Sequence, residues 1–252
     1  MGVRTDGRVR VVLAVLALLI AGVLTSGDRE PATPGATGTR VAEARPVVPL
    51  RIMPLGASST EGIGSPATAG YRGPLYTLLQ RDAVAVDYVG SLRSGPPSLP
   101  DRDNEGHSGA TLATLAPKIT SWVAAARPDV VLLHAGTNDL GSGTPASVVA
   151  ARLDDVIGKI YAAAPQAFVV VAGVWAPLPH ARAARAQLAA LTPGIVVRYR
   201  AAGRSIVFLD TSTLLGPSQI FDGLHPNAAG YARIARLFET EIDDWLARTG
   251  RG

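Results

Sequence analysis

Short apolar runs alternate with longer helical patterns along most of this chain, and this alternation limits the possible folds more than any other feature. The apolar runs are rich in β-branched and aliphatic residues and predict strands at residues 50–55, 84–89, 130–135, 167–173 and 205–209. Apolar residues at helical spacing predict helices at residues 72–80, 112–126, 145–163, 181–201 and 227–248. Repeated βα units form parallel sheets covered on both faces, so we expect a three-layer α/β/α sandwich with a five-stranded parallel sheet.

The N-terminal region has the composition of an export signal followed by a spacer. Three arginines within the first ten residues precede an apolar run at 11–24, which is short for a membrane span of about 20 residues. Residues 1–27 are therefore predicted to be a signal peptide or an uncleaved signal anchor. Residues 28–48 are rich in Gly, Pro, Thr and Ala and predict a flexible linker. We expect a folded domain at residues 49–249 that is secreted or extracellular, and membrane-tethered only if the signal is uncleaved.

The charge of the chain gives little support for nucleic-acid binding. Removing the six arginines and four acids of residues 1–46 leaves 18 basic and 16 acidic residues, and the arginines are scattered singly. The chain has no cysteine, which excludes disulfides, thiol catalysis and Cys-ligated metals. Its four histidines lack the spacing of metal ligands, so we expect no metal and no cofactor.

A carboxylate precedes an imidazole by three residues in the segment Asp222 to His225. On a tight turn, such a carboxylate can orient the ring and stabilise the imidazolium formed during catalysis. The alternative is that Asp222 caps the helix beginning near Asn227 and that His225 is exposed. Taken alone, the motif favours this alternative.

A serine-rich segment follows the first predicted strand directly. Ser58 lies between glycines 56 and 62, where a hydroxyl would sit at the carboxyl end of the sheet and could meet His225. Ser59 competes with it as a nucleophile. Alternatively, residues 58–60 only cap the next helix.

Two further junctions between strands and helices offer hydrogen-bond donors. Asn138 and Asp139 follow the third predicted strand, and Gly109 lies between the second strand and a helix. An esterase needs donors aimed at the oxyanion of its tetrahedral intermediate. The Ser58 amide, the Gly109 amide and the Asn138 side chain could supply three, while Asp139 is expected to brace its loop.

The order of these segments resembles the four blocks of the SGNH, or GDSL-like, hydrolases. The blocks are Gly-x-Ser-x-Thr at 56–60, Gly109, Gly-x-Asn-Asp at 136–139 and Asp-x-x-His at 222–225. Further segments look like the third family of carbohydrate esterases, and the likeness covers residues 50–245. Those segments are 52–56, 71–72, 75–76, 87–91, 93–95 and 105–109.

The resemblance implies a flavodoxin-like fold and a function. It implies that Ser58 is the nucleophile, that Gly109 and Asn138 are oxyanion donors, that His225 is the general base and that Asp222 orients it. The implied reaction is O-deacetylation of a polysaccharide such as acetylated xylan, or of another small acyl ester, by a monomer. The family usually has Asp at the position of Ala57. Because this Asp is not the triad acid, its absence affects the loop without removing a catalytic group.

Several residues remain weaker candidates. His107 and Trp175 lie near the expected crevice and are candidate substrate contacts, although local hydrogen bonding of His107 and core packing of Trp175 are alternatives. His134, in an apolar strand, is expected to be a hydrogen-bonded core residue. Arg72 and Arg93 could face a substrate, but as single arginines they are expected on the solvated surface.

Two other functions stay open from the sequence. One is a lipase or thioesterase of the same class that acts on lipid acyl esters. The other is a carbohydrate-binding protein whose site is weakened around Ala57.

Overall fold

The computed structural model describes residues 48–251. The predicted signal segment 1–27 and all of the predicted linker except its last residue lie outside the described residues. Within the described range, no helix combines the length and the apolarity needed to cross a membrane.

The predicted α/β/α fold class is confirmed, and all five predicted strands are present. They are β1 (Leu50–Gly56), β2 (Val86–Tyr88), β5 (Val130–His134), β6 (Phe168–Ala172) and β7 (Ile206–Leu209). The five strands are parallel and lie in the order β2-β1-β5-β6-β7. The chain therefore winds outward in both directions from β1, and functional groups gather at such a switch point.

The sheet has two short strands beyond the five expected, β3 (Leu92–Arg93) and β4 (Asp103–Gly106). The end of β4 pairs in parallel with the end of β1, beyond the stretch that pairs with β2, and β3 runs antiparallel to β4. Neither strand contains an apolar run that could have predicted it. Polar side-chain hydrogen bonds hold this edge of the sheet instead. Asn104 Nδ2 donates to Ser94 Oγ at 3.0 Å, for example.

Five long helices form the outer layers, each within two residues of its predicted bounds. They are α2 (Arg72–Arg81), α3 (Leu112–Ala126), α5 (Ala146–Ala163), α6 (Arg182–Ala201) and α7 (Ala228–Thr249). Alternate residues of each central strand enter two separate cores, as the two-residue period of a strand requires. One core lies under α3, α5 and α6, and the other lies under α2 and α7.

Two short helices at the carboxyl edge of the sheet have no sequence periodicity to predict them. They are α1 (Ser58–Glu61), directly after β1, and α4 (Thr137–Gly141), directly after β5. Gly136 opens α4 with a φ of 104°, a conformation that favours glycine. Since β1 and β5 are neighbours, the two helices lie on either side of the switch point.

Candidate active site

The structure brings Ser58, His225 and Asp222 into one hydrogen-bonded chain. Ser58 begins α1, and its Oγ lies 2.8 Å from His225 Nε2. His225 Nδ1 lies 2.7 Å from Asp222 Oδ2. Asp222 and His225 come from the loop between β7 and α7, at the same edge of the sheet as Ser58. This order of groups allows a proton to pass from the serine to the imidazole.

The Asp222 carboxylate is fixed by the turn on which it lies. Its Oδ1 accepts hydrogen bonds from the backbone N–H of Leu224 at 3.0 Å and of His225 at 2.8 Å. Burial by itself raises the pKa of Asp222, but these bonds and the one from the imidazole outweigh it and lower the pKa to about 2. The carboxylate thus stays ionised at physiological pH and accepts from the Nδ1–H tautomer, which leaves Nε2 free to accept a proton.

The helix-capping alternatives do not match the observed bonds. Asn227 caps α7, because its Oδ1 accepts the Gly230 N–H at 3.1 Å. Ala57 occupies the N-cap position of α1, which has no side-chain cap, so the Ser58 hydroxyl is not used there. Ala57 itself is buried beside Ser58.

Ser59, the competing serine, points into a different environment. It is only 7% exposed, and its Oγ lies 3.4 Å from Trp175 Nε1. Ser58, by contrast, is the serine that hydrogen-bonds His225. The geometry therefore separates two serines that composition alone left equivalent.

The expected oxyanion donors lie on segments that are tied together. Asn138 Nδ2 donates to the carbonyl oxygen of Ala110 at 2.8 Å, which leaves its second N–H available. Ala110 N donates to His107 O at 3.0 Å, and His107 N donates to Gly56 O at 2.9 Å. Gly109 is thus held between the end of β1 and Asn138, with a φ of 78°. The first N–H of α1, that of Ser58, has no intrahelical acceptor.

The His107 side chain is occupied by a buried carboxylate. Glu105 is fully buried and accepts from Ser91 N and Oγ, both at 2.7 Å, and its Oε1 lies 2.6 Å from His107 Nε2. The His107 ring also stacks on Trp122 with centroids 4.4 Å apart. With these contacts His107 supports the Gly109 segment. Such local bonding is what the sequence left as the alternative to substrate contact.

Trp175 lies in the core, the packing that the sequence left as the alternative to substrate contact. Its ring is 2% exposed and stacks on His134 with centroids 3.4 Å apart. One ring face is covered by His134, and Trp175 also lines a neighbouring cavity between the segments that follow β6 and β7. His134 is in the core as expected, but neither ring nitrogen has a partner among the described residues. Burial lowers the pKa of His134 to about 3, so its ring is neutral.

The brace expected of Asp139 is present. Its carboxylate is fully buried, accepts the Leu112 N–H at 2.9 Å and pairs with Arg152 Nη1 at 2.9 Å. Asp139 therefore joins α4, which carries Asn138, to the start of α3 and to α5. This arrangement fixes the position of the Asn138 amide.

Arg72 is a supporting residue that the sequence reasoning missed. It was expected on the solvated surface but is fully buried, and its guanidinium binds the carbonyl oxygens at the end of α1. Its spacing to Leu75 and Leu79 puts it on the buried face of α2, and this was the available signal. The acceptors, at 2.9–3.2 Å, are the carbonyl oxygens of Thr60, Glu61, Ser94 and Arg102 and the hydroxyl of Ser94.

Comparison with known proteins gives one family and a consistent set of relatives. The model of the GDSL-like Lipase/Acylhydrolase family matches residues 55–233. A family 3 carbohydrate esterase from Clostridium thermocellum superimposes with a TM-score of 0.72 and 36% identity, over 80% of this chain and 99% of that one. A carbohydrate esterase family 3 structure from Talaromyces cellulolyticus superimposes with a TM-score of 0.67 and 25% identity, over 79% of this chain and 99% of that one.

Two further relatives match this chain over a smaller share of their own length. A multidomain esterase from Ruminococcus flavefaciens is 25% identical over 229 residues, which is 78% of this chain and 29% of that protein. A protein from Acetivibrio thermocellus that carries the provisional name endoglucanase X is 32% identical over 146 residues, or 56% of this chain. The match spans 62% of the latter protein, so this chain covers less than two thirds of either relative.

Proposed function

Since the chain belongs to the GDSL-like lipase/acylhydrolase family and is a carboxylic ester hydrolase, we propose that it removes O-acetyl groups from a polysaccharide such as acetylated xylan. Ser58 is the proposed nucleophile, His225 the general base and Asp222 its orienting acid. The observation that carries the proposal is the chain of 2.8 Å and 2.7 Å hydrogen bonds through these three residues.

The proposed reaction proceeds through an acyl-enzyme. His225 Nε2 takes the proton of Ser58 as Oγ attacks the acetyl carbonyl, and Asp222 stabilises the imidazolium that forms. The oxyanion accepts hydrogen bonds from the amides of Ser58 and Gly109 and from Asn138 Nδ2. His225 then protonates the leaving sugar oxygen, and a water activated by the same imidazole releases acetate.

The space beside Ser58 favours a small acyl group. Ala57, His134, Ala135 and Thr137 line a narrow cavity of about 10 Å³ next to the nucleophile. This is room for one small group, whereas a lipid chain needs a long apolar channel. The relatives named as carbohydrate esterases, together with the N-terminal signal pattern, support an exported enzyme that acts on a glycan.

The test is acetate release from acetylated xylan and hydrolysis of 4-nitrophenyl acetate by the full chain. Ser58→Ala is expected to lower kcat on both substrates by about 10⁴-fold or more. Ser59→Ala, its matched control, is expected to keep most of the turnover because Ser59 bonds Trp175 and not His225.

Two results would contradict the proposal in different ways. Turnover that survives in Ser58→Ala would remove the nucleophile assignment. A preference for 4-nitrophenyl octanoate over the acetate ester, with no acetate released from xylan, would move the substrate to lipid acyl esters. Export is tested separately, by N-terminal sequencing of protein recovered from the culture medium.

A further inference from the structure

A second, larger cavity lies beside the catalytic turn and has no part in the mechanism above. Its volume is about 330 Å³, within the range of small-molecule sites. The walls come from the segments that follow β6 and β7, and Gly223, between Asp222 and His225, also lines it. A sugar bound there would therefore lie next to the sugar unit of the substrate whose acetyl ester reaches Ser58.

Two arginines give this cavity its charge. Arg182 and Arg185 both line it, and no carboxylate does so in the described part of the chain. Neither arginine forms an ion pair with a described acidic residue. Asp210 lies with Arg185 on a neighbouring narrow cavity and uses its Oδ1 to accept the Ser212 N–H at 2.9 Å. Among the described residues, therefore, no carboxylate lies within 4.0 Å of either guanidinium group.

One of the two guanidinium groups is held in position. Arg185 is half-buried, and its Nη1 donates to the carbonyl oxygen of Ala176 at 2.9 Å. This bond uses one of the five N–H groups of the side chain and leaves the others for a ligand. Arg182 is exposed at the start of α6 and can approach the same ligand. A guanidinium matches the geometry of a carboxylate and binds it through two parallel hydrogen bonds.

The remaining walls suit a sugar ring. Pro177, Leu215 and Ile220 offer apolar surface, and Ser212 offers a hydroxyl. A pyranose presents C–H groups on its faces and hydroxyls at its edge, so it fits apolar surface edged by polar groups. Apolar walls, a hydroxyl and two guanidinium groups together match a sugar that carries a carboxylate.

We propose that this cavity is a subsite for a uronic acid residue, so that the preferred substrate is an acetylated glycan bearing carboxylates near the ester. This rests on the proposed deacetylation at Ser58. The carboxylate of the neighbouring residue binds Arg182 and Arg185, and its ring packs on the apolar walls. Neutral acetylated chains reach Ser58 without this contact and bind more weakly.

The test compares acidic and neutral acetylated oligosaccharides of equal length, prepared from acetylated glucuronoxylan and separated by anion exchange. At low salt the full chain is expected to show a kcat/KM about three- to tenfold higher on the acidic set. In 0.5 M NaCl this preference is expected to shrink, because salt screens exposed charges. Arg182→Gln is expected to lose most of the preference through a higher KM on the acidic set alone.

Matched controls separate this site from general charge effects and from folding. Arg236→Gln removes the same charge from an exposed position on α7 and is expected to keep the preference. Arg185→Lys keeps the charge but loses the planar guanidinium with its parallel N–H donors, and is expected to raise KM on the acidic set only. Turnover of 4-nitrophenyl acetate is expected to stay within about twofold in all three variants, since the ester has no carboxylate.

Two outcomes overturn the proposal, and they can be told apart. Equal kcat/KM on both oligosaccharide sets, or equal loss on both in Arg182→Gln, would remove the subsite and leave the esterase intact. Hydrolysis of 4-nitrophenyl acetate without acetate release from either set would contradict the glycan function itself.

Discussion

The two halves of the site are held in opposite ways. The half that contains the proposed nucleophile, called the nucleophile half, is braced by buried side chains and by bonds between segments far apart in sequence. It comprises residues 56–61, 105–110 and 136–139. In the base half, residues 210–225, Asp222 is 39% exposed and bonds groups only two or three residues away. The 2.8 Å bond between Ser58 and His225 joins the two halves.

This difference follows from what each half has to do. Donors lower the energy of an oxyanion only if they already point at it before the reaction, so they need a rigid support. A general base needs one ring held in one tautomer, and a single carboxylate on the same turn achieves this. We therefore expect changes in the base half to affect turnover and changes in the nucleophile half to affect stability as well.

Among the changes that test this contrast between the halves, the largest expected effect comes from Asp222→Asn. The amide loses the charge that stabilises the imidazolium and can hold the ring in the wrong tautomer, so kcat should fall by about 10³- to 10⁴-fold. The lowered pKa of Asp222 means that its charge also stabilises the fold, but its contacts are local and solvent screens them, so the free energy of unfolding should fall by only about 1 kcal/mol. Steady-state kinetics with an acetyl ester and urea unfolding check both parts, and a variant that is active or strongly destabilised would contradict them.

Asn138→Ala should lower kcat by about 100- to 1,000-fold with a small effect on KM, because it removes a proposed oxyanion donor. It also breaks the bond to Ala110 that holds the Gly109 segment. Thr137→Ala is the matched control, since the Thr137 hydroxyl has no partner in the described structure. Equal losses in both variants would show that α4 acts only as support.

Arg72→Met tests the rigid support directly. It leaves several buried carbonyl oxygens without donors, so the free energy of unfolding should fall by about 3 kcal/mol or more. Arg93→Met breaks an exposed pair with Asp103 and should cost less than about 1 kcal/mol. Urea unfolding measures both, and similar values would contradict the claim that Arg72 is part of a rigid support.

The structure explains why the strands were predictable and part of the sheet was not. Every residue of β5 and β6 is buried, so β6 is an unbroken apolar run in the sequence and β5 is one up to its last residue, His134. The pairing of β4 depends instead on buried polar groups such as Glu105, whose partner Ser91 lies 14 residues away. Such long-range polar contacts leave no local pattern in a sequence.

The candidate site also contains residues that could be predicted from the sequence and residues that could not. The resemblance to SGNH hydrolases predicted Ser58, Asp222 and His225 as one site, whereas each motif taken alone could equally be explained by helix capping. The contacts of Arg72 and His134 could not be predicted, because a lone polar residue in an apolar pattern has several meanings. Only the packing shows that one binds the end of α1 and that the other has no partner among the described residues.

His134 links the stability of the nucleophile half to pH. Its pKa of about 3 in the fold lies below the ordinary value of 6.5, so the fold favours the neutral ring. The neutral ring's contribution to the free energy of unfolding is therefore complete above about pH 6.5 and is lost as the pH falls toward 3. The loss between pH 7 and pH 4 should be about 3 kcal/mol. His134→Phe keeps a ring against Trp175 and should reduce this dependence, whereas His180→Gln, at an exposed site, should not. Urea unfolding across this pH range checks it, and parallel curves for all three proteins would contradict the prediction.

The smallest expected effect is that of Ala57→Asp. The N-cap position of α1 lacks a side-chain acceptor, and Asp there should add about 0.5–1 kcal/mol to the free energy of unfolding. Turnover should stay within a few fold because residue 57 is not a triad member. A large gain in kcat, measured on 4-nitrophenyl acetate, would show instead that Ala57 limits this enzyme.

The most direct test of the account is the position of a covalent adduct. The full chain is treated with a fluorophosphonate, which reacts with the activated serine of a hydrolase, and the digest is read by tandem mass spectrometry. Modification of Ser58, absent in His225→Ala, is the result that the hydrogen-bonded chain predicts. An adduct on Ser59, or none on a protein that still hydrolyses acetyl esters, would contradict it.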